Sequence, residues 1–182
     1  MAIKKIDKDT EITIANNTKG AFFYSNKNAS LIINLNEYGD EDSISFSELK
    51  TILGDKRMIL TDLILIITDV VDEEYTIEDI VKALKLSDSY NEYLSLTNEK
   101  LGEVEHIDIR GVEEFVQDAT AEEIGKILGN KKSKVRYAIA ETAADLYKNK
   151  ELSDWNKMKA VAEKLGHSDI SSFWKDIESS NR

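Results

Sequence analysis

Two histidines, His106 and His167, are the only side chains in this 182-residue chain that ordinarily titrate near neutral pH, and there is no cysteine. Hydroxyls, lysines and carboxylates are left to carry any chemistry. His106 stands among Glu103, Glu105 and Asp108, a setting in which a carboxylate could orient a general base. No motif ties a nucleophile to it. His167 follows Gly166 at the end of a predicted helix, where a polar surface residue belongs. Ser/Lys pairs are plentiful, but none has the spacing of a hydrolase signature. The chain therefore reads as non-enzymatic, with no catalytic residue to name.

Phosphate and metal chemistry fare no better. Leu63 to Asp69 (LILIITD) is an apolar run ending in an acid, the form of a Walker B strand. The phosphate loop that must accompany it, GxxxxGK[ST], is missing: Leu128-Gly129-Asn130-Lys131 lacks the first glycine and the spacing. A core strand leaving its sheet through polar residues is the simpler account. Asn34-x-Asn36-x-Tyr38-Gly39 faintly follows a calcium loop, but its twelfth position is Ser45, where a bidentate Glu is required. A hairpin loop fits better. The acids Asp40-Glu41-Asp42 and Asp72-Glu73-Glu74 read as solvated loop charges. No cofactor and no metal site is expected.

What remains is suited to contact. Lys131, Lys132, Lys134 and Arg136 form the one basic cluster, at a predicted helix start. It could touch phosphate, meet an acidic patch on a partner, or simply be solvated. Trp155 and Trp174 lie in predicted helices, where aromatics are usually core, yet tryptophan also anchors interfaces. These six residues are the candidate partner contacts.

The elements that would position them change period along the chain. Up to Phe46 the pattern is period two: Glu11–Ile14, Ala21–Ser25, Leu31–Leu35 and Ser43–Phe46 alternate or carry apolar runs between Asn-, Asp- and Gly-rich turns. Their close spacing predicts an antiparallel meander. Ser47 is expected to cap a short helix over Glu48–Leu53 that Gly54 closes. Leu60–Thr68 reads as a last strand buried on both faces. From Thr76 the period becomes 3.6. Helices are predicted from Thr76, over Ser87–Leu96, from an Asp108 cap to Gln117, and from a Thr120/Glu123 capping box to Leu128. Three more follow, with Ser133, Ser153 and Ser168 as caps. The expectation is an α+β protein: a small antiparallel β domain over residues 1–72, then an α-helical domain over 73–182.

Bulk composition bounds the function. Hydrophobic residues make up 41 %, enough for a real core, and without cysteine stability must come from packing. The start, MAIKKIDKDTEITIA, shows no secretory signal, and the longest apolar stretch, Leu63–Ile67, is too short to span a membrane. The net charge is −11, and residues 71–125 alone carry 16 acids against 4 bases, whereas 126–182 carry 12 bases against 8 acids. Such a surface repels phosphate, so direct nucleic-acid binding is not expected. The acidic middle and the basic end could pair within one molecule or between copies.

Several segments resemble proteins of tailed bacteriophages: Ile12–Tyr24 (ITIANNTKGAFFY), Ile44–Lys50 (ISFSELK), the apolar run near Leu63, Gly111–Phe115 (GVEEF), Trp155–Val161 (WNKMKAV) and Leu165-Gly166. Together they make up less than about a quarter of the chain and are spread along most of its length. The resemblance implies a virion-associated structural or assembly protein without enzymatic activity and does not fix which part of the particle; the reading adopted is an accessory component of the head or neck. Such a protein would be assembled in the host cytoplasm and carried in the virion. Its partners would be capsid, portal or neck proteins and copies of itself. The alternative is a small acidic host-takeover or anti-defence binder whose acidic middle imitates nucleic acid.

Overall fold

The computed structural model describes residues 4–180, and the fold is α+β: small antiparallel sheets from the N-terminal strands, then a helical C-terminal region. Two compact units divide between Ile109 and Arg110.

In the first unit, β1 (Glu11–Asn16) is the central strand of a three-stranded sheet, antiparallel to β4 (Glu41–Ser45) on one side and β5 (Leu65–Val70) on the other. β2 (Phe22–Ser25) and β3 (Ile32–Leu35) form a separate hairpin. The strands therefore do not run as the expected meander, and the loop at Asn36–Asp40 joins two sheets instead of closing a hairpin. The reason lies in Asn16. Its buried side-chain amide donates to the carbonyls of Gly20 (2.7 Å) and Glu37 (3.0 Å), and its Oδ1 accepts from the Thr18 N–H. These bonds turn the chain out of the sheet. The place of a returning β2 is taken by the segment entering β4, through Asn16 N–H to Asp40 (2.9 Å) and Gly39 N–H to Asn16 (2.9 Å).

Gly39 makes that crossing possible. Its φ is +86°, and a Cβ there would lie 3.0 Å from Ile109 Cδ1. Gly39→Ala is expected to destabilise this unit by about 1–2 kcal/mol from the left-handed backbone alone, read as a lower urea midpoint.

The apolar run 60–68 is not one strand. Met58–Thr61 is a short helix (α2), Leu63 has φ +56°, and the strand begins at Leu65. The Asn17 side chain donates to the Leu63 carbonyl at 2.9 Å and its N–H to Ile64 at 3.0 Å, fixing the turn between them. From Leu65 to Thr68 every residue is buried, as a strand covered on both faces requires. Helix α1 (Phe46–Asp55) starts earlier than expected because Ser45, not Ser47, forms the capping box with Glu48, and Gly54 lies inside the helix.

The change from strands to helices at 72/73 is not where the units divide. α3 (Ile77–Ala83), capped by Thr76 with Asp79, and α4 (Ser87–Leu94) belong to the first unit. Ile77, Ile80, Val81, Tyr90, Tyr93 and Leu94 are all buried. The buried Tyr90 hydroxyl accepts the Ile67 N–H at 2.7 Å, so it occupies an edge position of β5 that no strand fills. The unit ends on a clamped carbonyl: Tyr38 and Tyr93 hydroxyls both donate to Ile109 O, at 2.6 and 3.0 Å.

The second unit is helical: α5 (Gly111–Asp118), α6 (Ala121–Gly129), α7 (Arg136–Lys148), α8 (Trp155–Lys164) and α9 (Ile170–Ser179). The Thr120/Glu123 capping box is present. Hydrogen bonds from the Thr120 N–H and hydroxyl hold the Glu123 carboxyl below its ordinary pKa. Elsewhere the caps fall differently from expectation. Asp154 and Asp169 cap α8 and α9 in place of Ser153 and Ser168, a carboxylate being a charged acceptor aimed at the positive end of the helix. α5 and α7 have no side-chain cap. Asp108 therefore does not cap α5. Ser133 is buried three residues ahead of α7, its Oγ without a hydrogen-bond partner among the described residues. The predicted inward stripe Val135, Ile139, Ala143 and Leu146 is buried throughout.

α6 and α8 pack with Gly125 between them. A Cβ on Gly125 would meet Lys164 Cε at 3.6 Å and Ala160 Cβ at 3.9 Å, ordinary contact distances. Gly125→Ala is therefore expected to stabilise by about 0.5–1 kcal/mol, measured as a raised denaturation midpoint, since it relieves a mid-helix glycine without a clash.

Candidate interaction surfaces

The structure brings the basic cluster together and separates the two tryptophans. Arg136 Nε donates to the Leu128 carbonyl at 2.8 Å, at the C-terminal end of α6, and Arg136 also reaches the Lys164 carbonyl at the end of α8 (3.5 Å). The intervening turn is held by Asn130, whose Oδ1 accepts the Lys132 N–H (3.1 Å) and whose carbonyl accepts the Ser133 N–H (3.0 Å). Lys126, Lys131 and Lys132 are exposed around it, Lys134 is half-buried, and the Lys164 side chain lies across Gly125 and Gly129. From Ile124 to Ala140 there is no acidic residue. Cations at two helix C-terminal ends are favoured by the helix dipoles, so this corner is a fixed positive surface. Tyr137, 66 % exposed, stands beside it with the Arg136 guanidinium 5.9 Å from its ring centroid.

Trp174 is only 2 % exposed, while Trp155 is 52 % exposed at the start of α8. Trp155 is roughly 14 Å along the helix from Lys164, so it is not part of the basic corner. Of the two tryptophans, only Trp155 presents surface.

His106 belongs to the first unit and His167 to the second. His106 is exposed in the segment before α5. His167 stacks on Phe173, ring centroids 4.4 Å apart, as part of an aromatic series continuing to Trp174 and Tyr147. The carboxylate that follows the Asn34–Gly39 segment is used internally: Asp40 Oδ2 accepts the N–H groups of Asn36 (2.8 Å) and Glu37 (3.2 Å). Asp69, the acid of the Walker-like run, accepts the Val70 N–H at 2.7 Å. Among the described residues no group of three or more His, Asp or Glu side chains is placed to hold a metal ion, and no helix is long and apolar enough to cross a membrane. An open depression of about 320 Å³ at the start of α4 is lined by Lys82, Lys85, Ser87 and Asp88. Lys82 is ion-paired there with Glu78 at 2.8 Å.

Two surfaces escaped the sequence reading. The first is the outward face of the β2–β3 hairpin. Phe22, Tyr24, Ile33 and Leu35 point inward, while Phe23 and Ile32 are 67 % and 55 % exposed. Phe23 is opposite Asn34 and Ile32 opposite Ser25, so the two apolar side chains are diagonal neighbours on one face. Strict alternation through 22–25 was the available signal; a run of three aromatics hid it. The second is Val71, 56 % exposed within the acidic segment 69–74. The edges of the three-stranded sheet, in contrast, are guarded. β4 carries exposed Glu41 and Asp42, and β5 is covered at Ile67 by Tyr90 and at Thr68 by the Ile107 N–H (3.0 Å).

A scan against protein-family models, a search of curated proteins and a search of solved structures found no match to this chain.

Proposed function

We propose that the protein works by holding other proteins, as a non-enzymatic accessory component of a tailed-phage particle attached to its head or neck. The observation that carries this reading is the hairpin face, where two large apolar side chains stand exposed as diagonal neighbours on a two-stranded ribbon. Exposed apolar side chains adjoining on one face are the material from which interface anchors are built. The phage setting comes from the segments that resemble virion proteins, two of which, Ile12–Tyr24 and Trp155–Val161, include the exposed Phe23 and Trp155.

The test is a particle-incorporation assay with Phe23→Lys/Ile32→Lys. The double variant keeps its inward residues and should fold, yet it should be absent from purified particles that retain the unaltered protein. Particles in which mass spectrometry finds no trace of the unaltered protein would remove the phage-particle reading.

A second reading has its own support. Residues 1–109 carry 22 acids and 11 bases, whereas residues 110–182 carry 13 of each, so the whole net charge of −11 falls on the first unit. An acidic unit of this kind could occupy the nucleic-acid site of a host protein, as an anti-defence or host-takeover binder does. Displacement of DNA from a host DNA-binding protein by the purified monomer would favour it over the particle role.

A further inference from the structure

Two exposed apolar side chains of this chain have rims of opposite charge. Val71 in the first unit is bordered by Asp69, Asp72, Glu73 and Glu74, all exposed. The loop is held in shape: Asp72 Oδ1 accepts the Glu74 N–H at 3.0 Å, and the Asp72 carbonyl accepts the Tyr75 N–H at 3.0 Å. One cation answers it locally, Lys4, which donates to the Glu74 carbonyl and stands 4.0 Å from Asp79. The opposite arrangement is the basic corner of the second unit, where Tyr137 stands exposed beside Arg136 and the α6–α7 turn carries Lys131 and Lys132. That corner is also fixed in place, by Arg136 on the Leu128 carbonyl and by Asn130 on its own turn. An apolar centre with a charged rim is how protein interfaces are built, and surfaces ordered in advance lose less freedom on docking.

We propose that the basic corner of one copy docks on the acidic 69–74 loop of another, Tyr137 against Val71. The proposal rests on the reading that the protein works through contacts and names one of its partners as a second copy of the chain. Charge complementarity selects that occupant. Every copy carries both rims, so a second copy always supplies an acidic loop of the sign the corner requires. Because the two patches differ, the contact is heterologous: a joined pair keeps one unused patch of each sign, and the assembly grows head to tail until a ring closes or a particle surface ends it. A single such contact is small, so it is weak in isolation and gains strength only through repetition.

Sedimentation velocity of the full chain over about 10–500 μM tests this, a range suited to weak contacts. The unaltered protein should associate as concentration rises. The association should weaken about tenfold or more when salt is raised from about 0.1 to about 1 M, where the screening length falls from roughly 10 to 3 Å. Lys131→Glu/Lys132→Glu and Glu73→Lys/Glu74→Lys alter only exposed side chains and leave the Asp72 and Asn130 bonds that shape the two patches in place. Each should be folded by circular dichroism and should lose the growing series of oligomers. Mixed together, the two variants should recover association, since the loop of the first still fits the corner of the second, and the corner of the first fits the loop of the second. A monomer at every concentration in low salt overturns the proposal, as does association that neither variant removes. So does association that needs added DNA. Incorporation into particles by a strictly monomeric protein would overturn it while leaving the proposed function standing.

Discussion

Trp174→Ala should be the most damaging single substitution in the second unit, costing about 3–5 kcal/mol. Of the residues of α9, Trp174 alone is buried; Ile170, Phe173 and Ile177 are half-covered. Its ring meets Tyr147 at 4.7 Å and Phe173 edge-on at 5.0 Å, and its Nε1 donates to the Met158 carbonyl at 3.2 Å. One side chain therefore links α9 to both α7 and α8. Its loss leaves a cavity that Ile170 and Ile177 cannot fill from their positions at the helix margin. The unit spans only residues 110–182, and a core that small has little stability to lose. Amide exchange should show protection falling across α7, α8 and α9 while β1, β4 and β5 keep theirs. Trp155→Ala is the control. With half its surface in water it should cost about 1 kcal/mol or less. Equal effects from the two substitutions would contradict the assignment of Trp174 as the anchor.

The two tryptophans also show what sequence could and could not tell. Both lie at helical spacing, and periodicity alone gives neither a preference for the core. Trp174 has half-buried neighbours at Phe173 and Ile177, whereas Trp155 is the first residue after a capping Asp154, at a helix end that points to water. The strand and helix content was legible because it rests on local patterns: the alternation at Glu11–Ile14, the helix caps at Thr76 and Thr120, and the stripe from Val135 to Leu146. Strand order was not, since it depends on where Asn16 spends its hydrogen-bonding groups, 4 and 21 residues away. The division at Ile109 was equally hidden. The first unit ends where the Tyr38 and Tyr93 hydroxyls converge on one carbonyl, that of Ile109, from 71 and 16 residues away.

Of the candidate contacts, the basic cluster was legible because its members are neighbours in the chain. The hairpin face was not read, although the alternation that exposes Phe23 and Ile32 is only one step beyond the strands themselves. Strand addition at the sheet edges, the most general way for an exposed β protein to bind a partner, loses ground once Tyr90 and Ile107 are seen covering β5. That shifts the contact surface from backbone edges to side chains, and makes charge and apolar substitutions the informative probes.

Raising the pH should unfold the first unit through its buried tyrosines. Burial pushes the Tyr90 hydroxyl far above its ordinary pKa, the Ile67 N–H opposing this only in part. Tyr93 is likewise held well above the ordinary value by burial first, and then by neighbouring Tyr38 and Asp108. In both cases the folded chain binds the proton more tightly than the unfolded chain. Their contribution is thus fully present below the unfolded pKa of about 10 and is lost as pH climbs from there toward the folded values. Each tyrosine removes about 1.4 kcal/mol per pH unit in that window, so the pair together removes nearly 3. A domain at the lower end of ordinary stability, about 5 kcal/mol, should lose its fold within about two pH units above 10. Urea unfolding followed by strand circular dichroism at stepped alkaline pH measures the slope directly. Tyr93→Phe should flatten it by one tyrosine's share. Tyr90→Phe should do the same while costing about 1–3 kcal/mol at neutral pH, because the buried Ile67 N–H then has no acceptor. If all seven tyrosines of the native protein ionise near pH 10 with the sheet intact, Tyr90 and Tyr93 are not closed off from water, and α4 does not seal β5.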